Sequence, residues 1–373
     1  MAEPQSGLTR ITLVLPDLRT GGAQRVILML AREFSAAGHR INIVAGQAEG
    51  GLLDEVPSSA RLVDLHAARG GGQLGFAARF TYRLARYLRT EQPDAVLSTL
   101  TGTNIAVVMA RLLSRSSTRV VLREAASPSA AGNRWRRMLR NWTYRHADHL
   151  IALTPRMRQE LLALGTSPRE GISAIPNPVD QPAIRSLGGA PCEHPWLTKH
   201  DRPVLIAVGR LIPEKDYPTL LRAFSVLQRE HPARLLILGE GPERARLERL
   251  VAALNLGDTV QLLGHQPNPW AFMARCDLFV LSSRSEGYPN AVCEALALGL
   301  PVVATDYDGT VGATFGDRCR VTAPGNPTAL ADALRDVLDG NSGRCGSSKA
   351  DPTLKSVVRS YLRVLLPAAT DAS

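Results

Sequence analysis

Long hydrophobic runs are missing from this sequence. No apolar stretch approaches membrane-spanning length, and the opening MAEPQSGLTR–ITLVLP lacks the charged and long apolar regions of a secretory signal, so neither a spanning helix nor export is expected. Cysteine is also scarce. Cys192, Cys276, Cys293, Cys319 and Cys345 are odd in number and scattered, which excludes a disulfide scaffold and a structural zinc site and points to a reduced, cytoplasmic protein. Lysine is absent from residues 1–182, which hold 23 arginines and 14 acidic residues and therefore carry +9 of the formal net charge of +10. A basic half beside a near-neutral one suits an anionic partner such as a membrane surface or an anionic substrate, or else a solvated, arginine-biased surface. No helix-turn-helix or other base-reading motif appears, so nucleic acid is not an expected partner.

What is present is alternation. ITLVLP, INIVAG, RLVDLH, AVLSTL, RVVLRE, HLIALT and GISAIP read as buried strands with amphipathic stretches between several of them, which calls for a parallel sheet covered by helices. Prolines then interrupt residues 176–202, read as a linker. The pattern restarts at VLIAVGR and continues through RLLILGE, VQLLGH, DLFVLSS, PVVAT and RCRVTA, with helices expected near 218–229, 242–254 and 327–338. The expected fold is α/β, with two doubly wound Rossmann-like domains facing across a cleft: residues 1–182, residues 183–340, and a 341–373 tail comprising a flexible link and a last helix near 353–366. At 373 residues the chain is long enough for two such cores.

The stretch SEGYPNAVCEALALGLPVVATD, from Ser285 to Asp306, reads as loop, helix, strand. Asn290 is the expected N-cap, with Gly299 and Pro301 closing the helix. The amides of Ala291, Val292 and Cys293 would then form an anion site suited to a diphosphate, with Glu294 placed for ribose hydroxyls and Glu286 for sugar hydroxyls. Arg210, at the end of VLIAVGR, and Lys215 can neutralise a leaving diphosphate; the alternative is ion pairing to Glu214 or Asp216. Gly21 and Gly22 follow the first strand and open a helix, either to admit a phosphate or sugar to the backbone or as a plain turn. Gly239 and Gly241, before Pro242, form a tight turn at the expected nucleotide end, with a purely structural reading nearly as good. His265 is expected near the base through its backbone. Asp306 with Asp308, and His146 with His149, lack the further ligands that a metal site needs.

Between Asn133 and His146, Trp135, Met138, Leu139 and Trp142 share one helical face, while Arg134, Arg137, Arg140 and Arg145 lie largely away from it. Two readings are open. Either the apolar face packs on the sheet with its arginines in water, or Arg134, Trp135, Arg136, Arg137, Arg140 and Trp142 meet an anionic membrane, making the protein peripheral on the inner face of the cell membrane.

Taken in order, GGAQRV, IPNPVD, VGRLIPEKDYPTLLRAF, LGEGP and SEGYPNAVCEALALGLPVVATD resemble the retaining glycosyltransferases of family 4 over nearly the whole chain. The resemblance implies a GT-B fold, an acceptor on the N-terminal domain and a nucleotide-diphosphate sugar as co-substrate on the C-terminal domain, with no cofactor or metal required. It implies that Arg210 and Lys215 hold the diphosphate, Glu294 the ribose, Glu286 the donor sugar, and Gly21 and Gly22 the phosphate and sugar. It also implies that the last helix returns to the first domain. Two departures stand out. Where many relatives carry a histidine, this chain has Arg123, Glu124 and Ala125, so either Glu124 orients an acceptor hydroxyl or the donor phosphate serves as base. After Asp306, YDGTVGATFGDRC replaces a Gly-Pro-x-Glu type segment.

The function expected is transfer of one sugar, with retention, from a nucleotide sugar (UDP-linked by preference, although no residue decides the base) to a membrane-presented, lipid-linked glycan in polysaccharide assembly. The competing readings are a GT-B epimerase or hydrolase of nucleotide sugars, and a degenerate sugar-nucleotide-binding protein. A nicotinamide dehydrogenase is disfavoured because the first strand leads to GGAQR and not to a three-glycine fingerprint.

Overall fold

The computed structural model describes residues 9–19, 21–68, 72–126, 134–198, 201–340 and 353–367. These divide into two compact units, one formed by the residues up to Pro178 together with 353–367, the other beginning at Val179.

In the first unit, seven strands alternate with helices: β1 (Arg10–Asp17), α1 (Gly22–Ala36), β2 (Arg40–Gln47), β3 (Arg61–Asp64), α2 (Gly72–Glu91), β4 (Ala95–Thr99), α3 (Thr101–Ser114), β5 (Arg119–Arg123), α4 (Arg134–Tyr144), β6 (His149–Ala152), α5 (Pro155–Ala163) and β7 (Ile172–Ala174). The sheet is parallel, in the order β3-β2-β1-β4-β5-β6-β7. Strands such as β4 are buried along their whole length, as expected where helices cover both faces. Strand order reverses between β1 and β4, and the loops beyond the carboxyl ends of those two strands are where such sheets bind ligands.

The second unit contains α6 (Gln181–Gly188), α7 (Pro195–Thr198), β8 (Val204–Val208), α8 (Tyr217–Leu227), β9 (Arg234–Leu238), α9 (Arg244–Ala253), β10 (Val260–Gly264), α10 (Pro269–Met273), β11 (Leu278–Leu281), α11 (Asn290–Ala297), β12 (Val302–Thr305), α12 (Thr310–Phe315), β13 (Arg320–Thr322) and α13 (Pro327–Leu338). Its six strands are parallel, in the order β10-β9-β8-β11-β12-β13, so the switch point lies between β8 and β11. Separate apolar cores form around Phe224 and around Phe279.

The stretch 176–202 is more than a linker. Asp180 caps α6 by accepting from Ala183 N at 3.1 Å, and Arg185 Nε donates to Ala297 O at 2.9 Å, which ties α6 to α11. The last helix, α14 (Leu354–Leu365), belongs to the first unit: Val357, Val358, Tyr361 and Leu365 join the core built around Ile11, Leu13 and Phe34. Arg119 Nε also donates to Val364 O at 2.9 Å. Of the expected link 340–351, the part from 341 onward lies outside the described residues, as does Asn133. No described helix is long and apolar enough to cross a membrane.

Candidate functional site

In the second unit the chemistry gathers on the two loops at the switch point. Lys215 ends a 3-10 turn after β8, and its Nζ lies 2.5 Å from Glu286 Oε1, with both side chains largely withdrawn from solvent. Ser283 Oγ donates to the same carboxylate oxygen at 2.6 Å. Three further bonds hold the two loops together: Ser282 Oγ donates to Lys215 O at 2.8 Å, Arg284 N donates to Glu214 O at 2.8 Å, and Arg284 Nε donates to Asp216 Oδ2 at 2.7 Å. The alternative partners expected for Lys215, Glu214 and Asp216, are therefore not the ones it uses. Arg210, on the same loop, is exposed. A Cβ at Gly209 would come within 2.9 Å of Lys215 Cε, so glycine at 209 is what lets Lys215 lie across the end of β8.

The room left by Gly239 and Gly241 is filled by backbone. A Cβ at Gly239 would stand 1.9 Å from Gly209 O, and one at Gly241 2.3 Å from Leu211 O. Leu211 N donates to Glu240 O at 2.9 Å and Glu243 N to Leu211 O at 3.0 Å, so the turn after β9 locks the loop that carries Arg210. These glycines position the site through that loop, in keeping with the structural reading of the turn. His265 is exposed just beyond β10.

Two expectations about α11 are corrected. Asn290 is its first residue and Pro289 occupies the cap position without a side-chain bond. Val292 N and Cys293 N donate to Pro289 O at 3.0 and 3.3 Å, so of the three expected amides only Ala291 N bonds no backbone carbonyl. The proline carbonyl thus holds two of the three amides that were expected to face an anion. Glu294 is half-buried in the second turn of α11.

The acidic pair after β12 holds backbone. Asp306 accepts from Val311 N at 3.0 Å and from Gly312 N at 3.2 Å, and Asp308 accepts from Thr310 N at 2.9 Å. His146 Nδ1 lies 2.9 Å from Trp142 O, and His149 Nε2 lies 2.9 Å from Ser173 Oγ. Among the described residues no group of three His, Cys, Asp or Glu side chains could hold a metal ion.

In the first unit, Gly21 caps α1 in an extended conformation any residue can adopt, with Gln24 Oε1 2.6 Å from where its Cβ would be, and Gly22 is exposed at the helix start. Glu124, beyond β5, is 1% exposed. Tyr144 OH donates to its Oε2 at 2.7 Å and Thr101 Oγ1 to its Oε1 at 3.1 Å. Burial pushes its carboxyl above the ordinary range, opposed by the Tyr144 bond and by the charge of Arg140. Buried and bonded at both oxygens, Glu124 fixes Tyr144, and so the end of α4.

That anchoring goes against the reading in which the apolar face of α4 packs on the sheet. Arg140 is fully buried, and the apolar residues face outward: Trp135 is 76% exposed, Met138 54%, Leu139 45% and Trp142 48%. Arg136, Arg137 and Arg145 are exposed beside them. The membrane reading had the tryptophans outside, and neither reading had an arginine inside. Sequence reasoning also passed over Arg123, which is fully buried and donates to Thr99 Oγ1 at 2.6 Å, to Tyr361 OH at 3.2 Å and to Asn177 Oδ1. It thereby ties β5 to α14 and to the segment leading into the second unit. An arginine ending an otherwise apolar strand was the available signal.

Two parallel α/β units whose loops bring cations and carboxylates to a switch point define a class that solved structures share. A glycosyltransferase from Rickettsia africae superposes with a TM-score of 0.76 at 16% identity, covering 98% of this chain and 100% of that one. Anabaena Alr3699/HepE, in complex with UDP and glucose, gives a TM-score of 0.77 at 18% identity, covering 95% and 98%. These likenesses place the fold with the GT-B glycosyltransferases. The sequence matches "Glycosyltransferase Family 4" over residues 20–181 and "Glycosyl transferases group 1" over residues 193–349, and the chain belongs to the family 4 glycosyltransferases. An uncharacterized glycosyltransferase of Methanocaldococcus jannaschii is 30% identical over 238 residues, 61% of this chain and 59% of its own length. The N-acetylgalactosamine-N,N'-diacetylbacillosaminyl-diphospho-undecaprenol 4-alpha-N-acetylgalactosaminyltransferase of Campylobacter jejuni is 30% identical over 221 residues, 57% of this chain and 58% of its own. The chain thus spans less than two thirds of the length of these curated relatives.

Proposed function

We propose that this chain is a retaining, metal-independent glycosyltransferase that moves one sugar from a uridine-diphosphate sugar to a lipid-linked glycan presented at a membrane surface. The observation that carries the reading is the Lys215–Glu286 pair at 2.5 Å beside the exposed Arg210 at the β8–β11 switch point. In this reading Arg210 and Lys215 meet the negative charge that grows on the diphosphate as its bond to the sugar breaks, so their effect is larger in the transition state than before it. Glu286 holds sugar hydroxyls, Glu294 the ribose diol, and Gly21 and Gly22 meet the phosphate and sugar. With Glu124 enclosed by Tyr144 and Thr101, the departing diphosphate oxygen is left to take the acceptor proton, which keeps attack on the face the leaving group vacates.

The uridine preference is supported by neighbours of the same fold crystallised with UDP and UDP-glucose, and the acceptor class by the diphospho-undecaprenol glycan in the Campylobacter relative's name. The outward Trp135, Met138, Leu139 and Trp142 face, with Arg136 and Arg137 alongside, supports attachment to an anionic bilayer, with the tryptophans at the acyl boundary and the arginines among the headgroups. The test is a screen of UDP- and GDP-sugars, with and without a membrane-lipid extract and with and without a chelator. Chelator-insensitive transfer to a lipid fraction, with the anomeric configuration kept, is expected. Release of free sugar unaffected by the extract would make the protein a hydrolase instead, and an inverted linkage would remove the retaining mechanism.

A further inference from the structure

The turn between β12 and α12 is built from its own carboxylates. Asp306 holds Val311 N and Gly312 N, Asp308 holds Thr310 N, and Asp306 N donates to Thr322 O at 2.8 Å. A Cβ at Gly312 would come within 2.9 Å of Asp306 Oδ2, so the turn closes tightly over the first of these residues. None of this uses Tyr307. Its ring packs on the core around Phe279, and its hydroxyl is buried with no hydrogen-bond partner among the described residues. A buried, unpaired hydroxyl is unfavourable by about as much as a hydrogen bond is favourable, and phenylalanine would fill the same space without that cost. The group is explained if a ligand completes it.

Its surroundings indicate which ligand. Burial, then the negative charge of Glu286, followed by Asp308 and Asp306, holds the phenol far above its ordinary ionisation range, so it stays an O–H donor throughout the neutral range. The carboxylate with the largest influence on it is the one assigned to the donor sugar. We propose that Tyr307 determines donor specificity, its O–H donating to a hydroxyl of the transferred sugar next to the hydroxyls held by Glu286. This rests on the reading of the second unit as the sugar-nucleotide site. A site built to pair a sugar hydroxyl discriminates against sugars that lack it or orient it differently, because the phenol is then left unpaired again.

The experiment compares the full chain with Tyr307→Phe, using calorimetric binding of UDP, UDP-glucose, UDP-galactose and their N-acetylhexosamine counterparts, followed by monodeoxy analogues of the tightest donor. Affinity for UDP and the melting temperature should be unchanged or the latter raised. The preferred sugar nucleotide should bind about tenfold more weakly to the variant, the loss of one hydrogen bond. One deoxy analogue should bind wild type and variant equally, which identifies the hydroxyl. Equal affinity of wild type and variant for every sugar nucleotide would overturn the proposal and leave Tyr307 a packing residue. So would a loss of UDP affinity as large as the loss for the sugar nucleotide. If wild type binds neither UDP nor any of the UDP-sugars, the reading of the second unit itself falls.

Discussion

Replacing Gly239 by alanine tests how closely the turn after β9 is packed against the Arg210 loop. Gly239 has φ +143°, and its Cβ would lie 1.9 Å from Gly209 O and 2.8 Å from Gly209 C. Two costs add. The backbone conformation is unfavourable for an L residue by about 1–3 kcal/mol, and the overlap with a carbonyl that cannot swing aside adds about 1–3 kcal/mol of overpacking, so about 2–6 kcal/mol is expected in total. Gly299 is the control in the same unit, with φ +81° and no atom within 4 Å of its Cβ position. There, Gly299→Ala should cost only the conformational part, about 1 kcal/mol. Urea unfolding of the three proteins measures both, provided the slopes agree. The carbonyl that must move immediately precedes Arg210, so the folded fraction of Gly239→Ala should also turn over more slowly. Equal destabilisation by the two substitutions would refute the close-packing argument.

Glu124 should make stability fall with rising pH. Its carboxyl is held above the ordinary range by burial, so the unfolded chain releases that proton first, and the stabilisation present at low pH is lost as pH rises through the folded value. The destabilisation caused by Glu124→Gln should therefore shrink from the ordinary carboxylate range upward in a pH series of urea unfolding curves; a widening gap would contradict the burial argument. For the membrane reading, Arg136→Gln with Arg137→Gln should lower partitioning to anionic vesicles about thirtyfold, at about 1 kcal/mol for each headgroup contact, and vesicle sedimentation would show it. Arg140→Gln should instead lower the melting temperature, because Arg140 is buried beside Glu124.

The strands and helices were legible because apolar spacing of two and of three to four residues is a direct imprint of burial on one face. Lys215 and Glu286 were legible because both stand just past apolar strands. Orientation was harder to read. In α4 the periodicity separates two faces without saying which is inward, and the decision is made by Glu124, which lies beyond β5, holds Tyr144 at the end of the helix and gives Arg140 a buried partner. The Gly239 and Gly241 turn looked like a ligand turn because the backbone that fills its space is some 30 residues away in sequence. Asn290 looked like a cap because its type favours that position, yet Pro289, already set near the required φ, ends the loop one residue earlier. Tyr307 carried no signal as a sequence letter; only the burial of its hydroxyl without a partner marks it.

The central claim is that Arg210 and Lys215 act on charge that appears as the sugar leaves. Steady-state turnover of the preferred sugar nucleotide by Arg210→Ala, Lys215→Ala and the double variant, with melting temperatures alongside, tests it most directly. Losses of about a hundredfold or more are expected for each single change with small shifts in melting temperature, and a double loss smaller than the product because both cations serve one diphosphate. Undiminished turnover in either single variant at an unchanged melting temperature would contradict it.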